Sequence, residues 1–245
     1  MSSVIRRIAM WSGPRNISTA LLRAWGNRPD TFVCDEPLYA HYLVKTGIQH
    51  PGADEVIRSQ ENDWRTVVGW LTDYVPPGKS IFYQKHMTHH LLPEIDRGWL
   101  NRVTNAFLIR EPREVVTSFA KIAGTPRIED TGFPQQLEIF NWVRTRTGRV
   151  PPVVDSRDVL EHPQRLLRLL CESLDVEFTD AMLSWPPGPR DTDGVWAKYW
   201  YDAVLKSTTF GPYKPKNEPV PPHLAGLLDE TEEIYRQLYE HRLGQ

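Results

Sequence analysis

The stretch that most limits what this chain can fold into is residues 8–25, which read IAMWSGPRNISTALLRAW. Its apolar start predicts a short buried strand, followed by a tight turn and an apolar helix that begins with hydroxyl residues. This order points several backbone N–H groups and the positive end of a helix dipole at one spot. Arg15 adds a fixed cation within the turn. The stretch therefore predicts a site for a phosphate or a sulfate group.

Short apolar runs and helical patterns alternate along the rest of the chain. The strand candidates are 4–11, 31–35, 80–85, 103–109 and 153–155. The helix candidates are 18–25, 63–74, 114–121, 137–146, 164–174, 196–205 and 224–242. Because strands that alternate with helices pair in parallel through crossovers, we expect a three-layer α/β fold with a mostly parallel central sheet covered by helices. We expect residues 1–245 to form one domain, with a helical C-terminal portion from about residue 180.

The carboxyl ends of these strands are the places to look for a binding site. In open α/β sheets, ligands bind in the crevice beyond those ends. The residues found there are 12–15, Glu36, His86 and Arg110. We therefore expect the functional side chains to come from these positions.

The composition excludes several classes of protein. With 245 residues and 40% hydrophobic content, the chain can bury a sizeable core. A net charge of −2 argues against a general nucleic-acid binder. Cys34 and Cys171 lack CxxC spacing, which argues against a metal cluster or a disulfide framework. The apolar runs are too short for a secretion signal or a membrane span, so we expect a cytoplasmic protein with no nucleic-acid or membrane partner.

The first loop differs from the loop of nucleotide-hydrolysing proteins. That loop reads GxxxxGK[ST], with a Lys that reaches the β/γ-phosphates and a final hydroxyl that holds Mg²⁺. When Thr19 is taken as the final hydroxyl, Ile17 stands where the second Gly belongs and Ser18 where the Lys belongs. ATP or GTP hydrolysis is thus disfavoured, although the paired hydroxyls and Arg15 remain. An ordinary turn, with Asn16 or Ser18 capping a core helix, is the alternative.

Residues 14–19, PRNIST, resemble the loop that binds the 5′-phosphosulfate in sulfotransferases using 3′-phosphoadenosine 5′-phosphosulfate (PAPS). The family loop reads Pro-[Lys/Arg]-Ser-Gly-[Ser/Thr]-[Ser/Thr], with Arg in carbohydrate-type and many bacterial members; Asn16 and Ile17 depart from it. The resemblance implies PAPS as donor, no metal, and Arg15 as the cation that neutralises the bridging oxygen during transfer. It implies donor-binding residues in and around the loop: Ser12, Gly13, Arg15, Asn16, Ile17, Ser18, Thr19 and Ala20.

Residues 107–118, FLIREPREVVTS, resemble the 3′-phosphate motif of the same family, Arg-[Asn/Asp]-Pro-[Arg/Lys]-[Asp/Glu]-Val-x-x-Ser. Arg110 and Ser118 stand eight positions apart, as in the family. Two helical turns bring the hydroxyl back toward the strand end, where it can share one phosphate with the guanidinium. The resemblance implies that Arg110 and Ser118 bind the 3′-phosphate. The family's C-terminal Arg-Lys-Gly loop has no clear counterpart, and Lys214 and Lys216 are the candidates to substitute for it.

Two residues are candidates for the base that takes the acceptor's proton. Glu36 follows the second strand candidate, and several bacterial and carbohydrate-type members of the family place a Glu-Pro there that is thought to supply the base. Leu91 follows His86 by five residues, the spacing between the catalytic His of cytosolic members and their Leu-Leu-Pro, and a pKa of about 6.5 suits a base at neutral pH. Because Arg15 follows the carbohydrate-type pattern, we favour Glu36. The alternative role for His86 is to contact the transferring sulfuryl group.

Aromatic residues in two places are candidates for an acceptor pocket. They are Tyr39, His41 and Tyr42 in one place, and Trp196, Tyr199, Trp200 and Tyr201 in the other. The second set, with Ala203, also has the spacing of a helix face that packs into the core. His89 and His90 close to His86 do not predict a metal site, because no carboxylate stands at ligand spacing.

Together these motifs predict a PAPS-dependent sulfotransferase with a P-loop NTPase-like fold of the sulfotransferase type. The acceptor group is a hydroxyl, or an amine, of a small molecule or a carbohydrate. A nucleotide-dependent phosphotransferase on the same fold is one alternative, which the missing loop Lys disfavours. A nucleotide-binding module without catalytic activity is the other.

Overall fold

Five strands form one parallel sheet in the computed structural model, which describes residues 5–123, 125–216 and 218–244. The strands are β1 (Arg6–Ser12), β2 (Thr31–Asp35), β3 (Ile81–Met87), β4 (Thr104–Ile109) and β5 (Val153–Asp155). Their order across the sheet is β2-β3-β1-β4-β5, and every neighbouring pair is parallel. Each strand candidate is found, although Val4, the first residue of the first one, lies outside the described residues.

Helices cover the sheet and form the connections between its strands. They are α1 (Ser18–Gly26), α2 (Tyr39–Thr46), α3 (Ala53–Ser59), α4 (Trp64–Asp73), α5 (Pro112–Ala123), α6 (Ile128–Thr131), α7 (Phe133–Thr147), α8 (Ser156–Glu161), α9 (Pro163–Ser173), α10 (Ala197–Trp200), α11 (Asp202–Leu205) and α12 (Ala225–Tyr239). Short 3₁₀ turns lie at Thr88–His90, Gly98–Arg102, Asp180–Leu183 and Pro222–Leu224.

Both faces of the sheet are buried, which makes the fold three-layered. Side chains alternate between the faces along a strand. On β1, Ile8 and Met10 pack against α1 and α9, whereas Ala9 and Trp11 pack against α4 and α7. This confirms the predicted α/β fold with a parallel sheet between helical layers.

The predicted helix 196–205 is wrong as a single element. The structure has α10 and α11 there, separated at Tyr201. Tyr201 is buried, and its hydroxyl donates to Asp35. We attribute the interruption of the helix to this tertiary contact. Trp196 is buried as a core-face residue, but Tyr199 is 42% exposed, so the helical core face is not formed as a whole.

Two further expectations, on membrane spans and on metal or disulfide sites, concern the whole described part of the chain. Among the described residues, the structure contains no helix with the length and apolar character needed to span a membrane. Within the same residues no group of His, Cys, Asp and Glu is arranged to hold a metal ion, and Cys34 and Cys171 are both free thiols.

Candidate active site

A cavity of about 900 Å³ lies at the carboxyl ends of β1 to β4. Glu36 follows β2 and Arg110 follows β4, and both line it. Because these strands stand three places apart in the sheet, a separation of roughly 14 Å, the two residues lie toward opposite ends. We call the part lined by Arg15, Arg110 and Lys216 the cationic end. We call the part lined by Tyr39, Tyr42, His50, His90 and Trp200 the aromatic end.

The loop between β1 and α1 borders the cationic end and is fixed to the sheet. Asn16 donates from Nδ2 to the carbonyl of Leu108 on β4 at 3.1 Å, and its Oδ1 accepts from the N–H of Ile17 at 2.8 Å. Arg15 has φ 58°, a left-handed conformation uncommon for residues with a side chain. Such strain persists only where the surroundings impose it, and it is frequent at ligand sites.

The first turn of α1 lines the cavity with unused backbone donors. No side-chain cap is recorded at the N-cap Ile17 within the described residues. The first N–H groups of a helix have no partner inside the helix. Ser18, Thr19 and Ala20 carry these groups and all line the cavity, as the sequence predicts. The geometry is that of an anion cradle.

Two sequence motifs meet at the cationic end. Arg15 donates from Nε to Oγ of Ser118 on α5 at 2.9 Å. Arg110 donates from Nη1 to the carbonyl of Arg15 at 2.5 Å and forms two hydrogen bonds to Glu114, of 2.8 and 2.6 Å. Glu114 also accepts from the hydroxyl of Tyr213 at 2.8 Å. The structure therefore brings Arg15, Arg110 and Ser118 together from motifs that are about ninety residues apart.

The charges at this end repel one another. Burial and the charge of Arg110 lower the pKa of Arg15. Burial lowers the pKa of Lys216 too, and Arg110 and Arg15 lower it further, although Glu114 opposes this shift. A bound anion would relieve the repulsion, because its negative charge would add to that of Glu114 and Glu218.

A buried charge network lies where β2 and β3 end. Lys85 is 1% exposed and donates from Nζ to Asp35 at 2.7 Å, to Glu36 at 2.5 Å and to the hydroxyl of Tyr201 at 2.9 Å. Tyr201 in turn donates to Asp35 at 2.5 Å, and the indole of Trp196 donates to Tyr201 at 3.2 Å. Burial alone would lower the pKa of Lys85, but Asp35 and Glu36 raise it well above its ordinary value. The lysine is therefore a permanent cation between two carboxylates.

Glu36 holds the position expected of a base. Its backbone has φ 44°, and its carboxylate lines the cavity with one oxygen bound to Lys85. Burial raises the pKa of Glu36, Asp35 adds to this shift, and Lys85 opposes it. A carboxylate with a raised pKa is a stronger proton acceptor than an exposed one.

His86, the other candidate base, is not brought to the cavity. Its ring stacks on Trp11 with centroids 4.4 Å apart, on the sheet face that is opposite to Lys85. Only 1% of the residue is exposed, and burial followed by the charge of Lys85 lowers its pKa to about 3. His86 is thus a neutral core residue whose ring is separated from Glu36 by the sheet.

Two predicted donor-binding residues lie below the loop and do not belong to the cavity wall. Ser12 is fully buried, with its hydroxyl 3.9 Å from the sulfur of Met87. Gly13 packs against the carbonyl of Thr131, which a Cβ at this position would approach to 2.7 Å. The glycine thus permits close backbone packing beneath the loop.

The candidate acceptor residues divide between cavity and core. Tyr39, Tyr42, Trp200 and Tyr201 line the cavity. His41 faces a separate groove. Trp196 is buried in the core and Tyr199 is exposed, and neither lines the cavity. The sequence analysis did not predict three residues of this region: Lys85, Asp35 and His90. The position of Lys85 close to the carboxyl end of β3 is the signal that could have identified it.

The comparisons with known proteins identify the family of the chain. A family model described as a sulfotransferase domain matches residues 6–226, and the chain belongs to this family of transferases. The branched-chain-amino-acid aminotransferase-like protein 1 of Arabidopsis thaliana is 34% identical over 96% of this chain. The match covers 42% of that protein, so the chain spans about two fifths of the length of this curated relative.

Solved structures share the fold at low sequence identity. The sulfotransferase domain from the curacin biosynthetic pathway has a TM-score of 0.56 and 18% identity, covering 97% of this chain and 99% of that one. The sulfotransferase domain of the Synechococcus PCC 7002 olefin synthase has a TM-score of 0.55 and 16% identity, covering 94% and 95%. These similarities concern the α/β fold.

Proposed function

We propose that this member of the sulfotransferase family transfers a sulfuryl group from PAPS to a hydroxyl or amine of a small-molecule or carbohydrate acceptor. The observation that carries the proposal is the hydrogen bond from Arg15 to Ser118. It places the loop proposed for the 5′-phosphosulfate against the motif proposed for the 3′-phosphate. A donor with two separate anionic groups suits such a pair of adjacent sites, whereas AMP has only one.

The residues at the cationic end fit this donor chemically. Arg15, Arg110 and Lys216 provide three cations, and the first turn of α1 provides backbone N–H groups. Arg110 makes two hydrogen bonds to Glu114, and Arg110 and Ser118 both contact Arg15 and line the cavity. In this proposal the guanidinium and the hydroxyl share one phosphate. In this proposal Lys216, one of the two candidates with Lys214, substitutes for the C-terminal Arg-Lys-Gly loop, which has no clear counterpart in the sequence.

In this proposal Glu36 takes the proton of the acceptor while Lys85 holds the carboxylate in place. The bound donor supplies an activated sulfuryl group with a phosphate leaving group. Arg15 stabilises the negative charge that develops on that leaving group, and the fixed N–H groups of α1 add to this stabilisation. Positioning and electrostatics dominate such a transfer, so the chain needs no nucleophile of its own.

The decisive experiment compares the thermal stabilisation of the protein by adenosine 3′,5′-bisphosphate, AMP and ATP at equal concentrations. We expect the bisphosphate to raise Tm most, since a ligand that binds only the folded state stabilises it. Transfer of ³⁵S from labelled PAPS to an acceptor then tests catalysis. Stabilisation that does not depend on the 3′-phosphate would refute the assignment.

The phosphotransferase alternative has its own test. It requires Mg²⁺-dependent turnover of ATP, which we do not expect because Ser18 stands where the catalytic lysine of that loop belongs. A module that only binds nucleotide would be stabilised by the bisphosphate and would transfer no label with any acceptor.

A further inference from the structure

The carboxylate of Glu36 has one engaged oxygen and one available oxygen. Oε1 accepts from Lys85 at 2.5 Å. Oε2 accepts no hydrogen bond from the described residues, and Nδ1 of His90 lies 4.0 Å from it. That gap is too long for a direct hydrogen bond.

His90 is rigidly held with a polar atom that has no partner. Its ring lies between Tyr39 and Tyr42, with centroids 4.7 Å from each and interplanar angles of 3° and 29°. The residue is 3% exposed and lines the cavity. Within the described part of the chain, Nδ1 is buried without a hydrogen-bond partner. A buried polar atom of this kind is uncommon and is frequently completed by a ligand.

We propose that His90 binds the nucleophilic oxygen of the acceptor, which sits between its Nδ1 and Oε2 of Glu36. The inference rests on the proposed function. An oxygen about 2.8 Å from each atom fits the 4.0 Å gap. The tautomer with hydrogen on Nδ1 is favoured, because an N–H is attracted by the neighbouring carboxylate whereas a lone pair is repelled. His90 then donates to the oxygen, and the oxygen donates its proton to Glu36.

This arrangement selects a hydroxyl over an amine as the acceptor group. A hydroxyl oxygen has one hydrogen for Glu36 and two lone pairs, one for His90 and one for the sulfur. The new O–S bond forms as the bond from sulfur to the leaving phosphate oxygen breaks, and the hydroxyl proton moves to Glu36. A neutral amine has one lone pair only, which the sulfur needs, so the N–H of His90 would face a group unable to accept from it. The acceptor class that fits is therefore an alcohol or a phenol.

The test uses full-length protein, ³⁵S-labelled PAPS and matched probes: phenol against aniline, and 2-phenylethanol against 2-phenylethylamine. We expect each hydroxyl to be sulfated about tenfold or more faster than its amine. His90→Phe keeps the stacking between Tyr39 and Tyr42 and should lower sulfation of the hydroxyls about 100-fold, with stabilisation by adenosine 3′,5′-bisphosphate retained. His90→Asn keeps an N–H near Nδ1 and should be intermediate. Wild-type rates in His90→Phe, or a preference for amines, would overturn the proposal.

His41 provides the matched control. It is also a buried histidine of this region, its Nδ1 is paired with the carbonyl of Asn62, and it lies outside the cavity. His41→Asn should retain the wild-type rate. If it falls as far as His90→Phe, general loss of packing explains both.

A second readout does not require an acceptor. Nitrogen-15 NMR of labelled histidine, with His90→Phe used for assignment, should show hydrogen on Nδ1 of neutral His90 at pH 7; hydrogen on Nε2 alone would overturn the proposal. If the proposed function is wrong, the result differs: adenosine 3′,5′-bisphosphate would then not stabilise the wild-type protein, whatever the tautomer of His90.

Discussion

Lys85 and His86 are neighbours on β3, but their side chains lie on opposite faces of the sheet. Lys85 donates to Glu36 at the cavity, and His86 stacks on Trp11 in the core. The cause is the two-residue period of a strand, which sends successive side chains to opposite faces. Lys85 therefore reaches the site, whereas His86, the next residue along the strand, packs in the core.

Lys85→Met should destabilise the protein strongly. The substitution leaves Asp35 and Glu36 buried without their cation, and removing one partner of a buried pair costs about 3–5 kcal/mol. Urea unfolding monitored by tryptophan fluorescence measures the loss. Glu36→Gln is the control, since it leaves the bond between Lys85 and Asp35 intact and should cost much less. A loss below about 1 kcal/mol for Lys85→Met would mean that the network does not stabilise the fold.

Arg110→Ala and Glu36→Gln should separate donor binding from turnover. Arg110 belongs to the cationic end, so its loss should weaken binding of adenosine 3′,5′-bisphosphate by about 100-fold, as expected when a charge-assisted bidentate contact is removed. Glu36→Gln should leave this binding unchanged and abolish most sulfation. Isothermal titration and a ³⁵S transfer assay measure the two effects. An equal loss of binding in both variants would remove Glu36 from the role of base.

Acid should destabilise the protein through its buried histidines. Burial lowers the pKa of His86 to about 3 and that of His89 to about 4. Between these values and about 6.5, the unfolded chain binds protons that the folded protein excludes. The contribution of these two histidines to stability is therefore complete above pH 6.5 and is lost as the pH falls toward 3. Urea midpoints from pH 8 to 4 should show this decline, and His86→Gln, which keeps a polar group near Gln84, should make it shallower.

Strand ends and strand–turn–helix patterns were sufficient to predict the sheet and much of the cationic end. These patterns are local: apolar runs mark β1 and β4, Arg110 directly follows β4, and Arg15 lies in the short loop after β1. The role of His90 and the contact between Tyr201 and Asp35 were beyond this reasoning. His90 lies in a 3₁₀ turn with no period to orient it, and Tyr201 contacts Asp35 across 166 positions of sequence. Side-chain partners at such separation depend on tertiary packing, which local patterns do not specify.

Asp155→Asn should stabilise the protein at neutral pH. Burial raises the pKa of Asp155 to about 6, against the hydrogen bonds from Tyr235 and the N–H of Arg157. Between pH 3.8 and 6 the folded protein binds a proton that the unfolded chain has lost, so ionisation of this group reduces stability as the pH rises. Asparagine is neutral and remains a good N-cap for α8. We expect a gain of about 1–3 kcal/mol at pH 7 that disappears below pH 4.

Gly13→Ala should perturb the first loop from beneath. A Cβ there would lie 2.7 Å from the carbonyl oxygen of Thr131, so the loop or the segment before α7 must shift. Overpacking of this kind costs about 1–3 kcal/mol. Gly69→Ala is the matched control, because nothing lies within 4 Å of its Cβ and it stands inside α4, where alanine is favoured by about 1 kcal/mol.

Calorimetry of the two glycine variants with and without adenosine 3′,5′-bisphosphate separates packing from binding. A shift of the loop should also move Arg15, so Gly13→Ala should lose both stability and affinity, whereas Gly69→Ala should gain stability at unchanged affinity. If Gly13→Ala loses affinity at full stability, the glycine contacts the ligand directly, and the packing role derived from Thr131 is wrong.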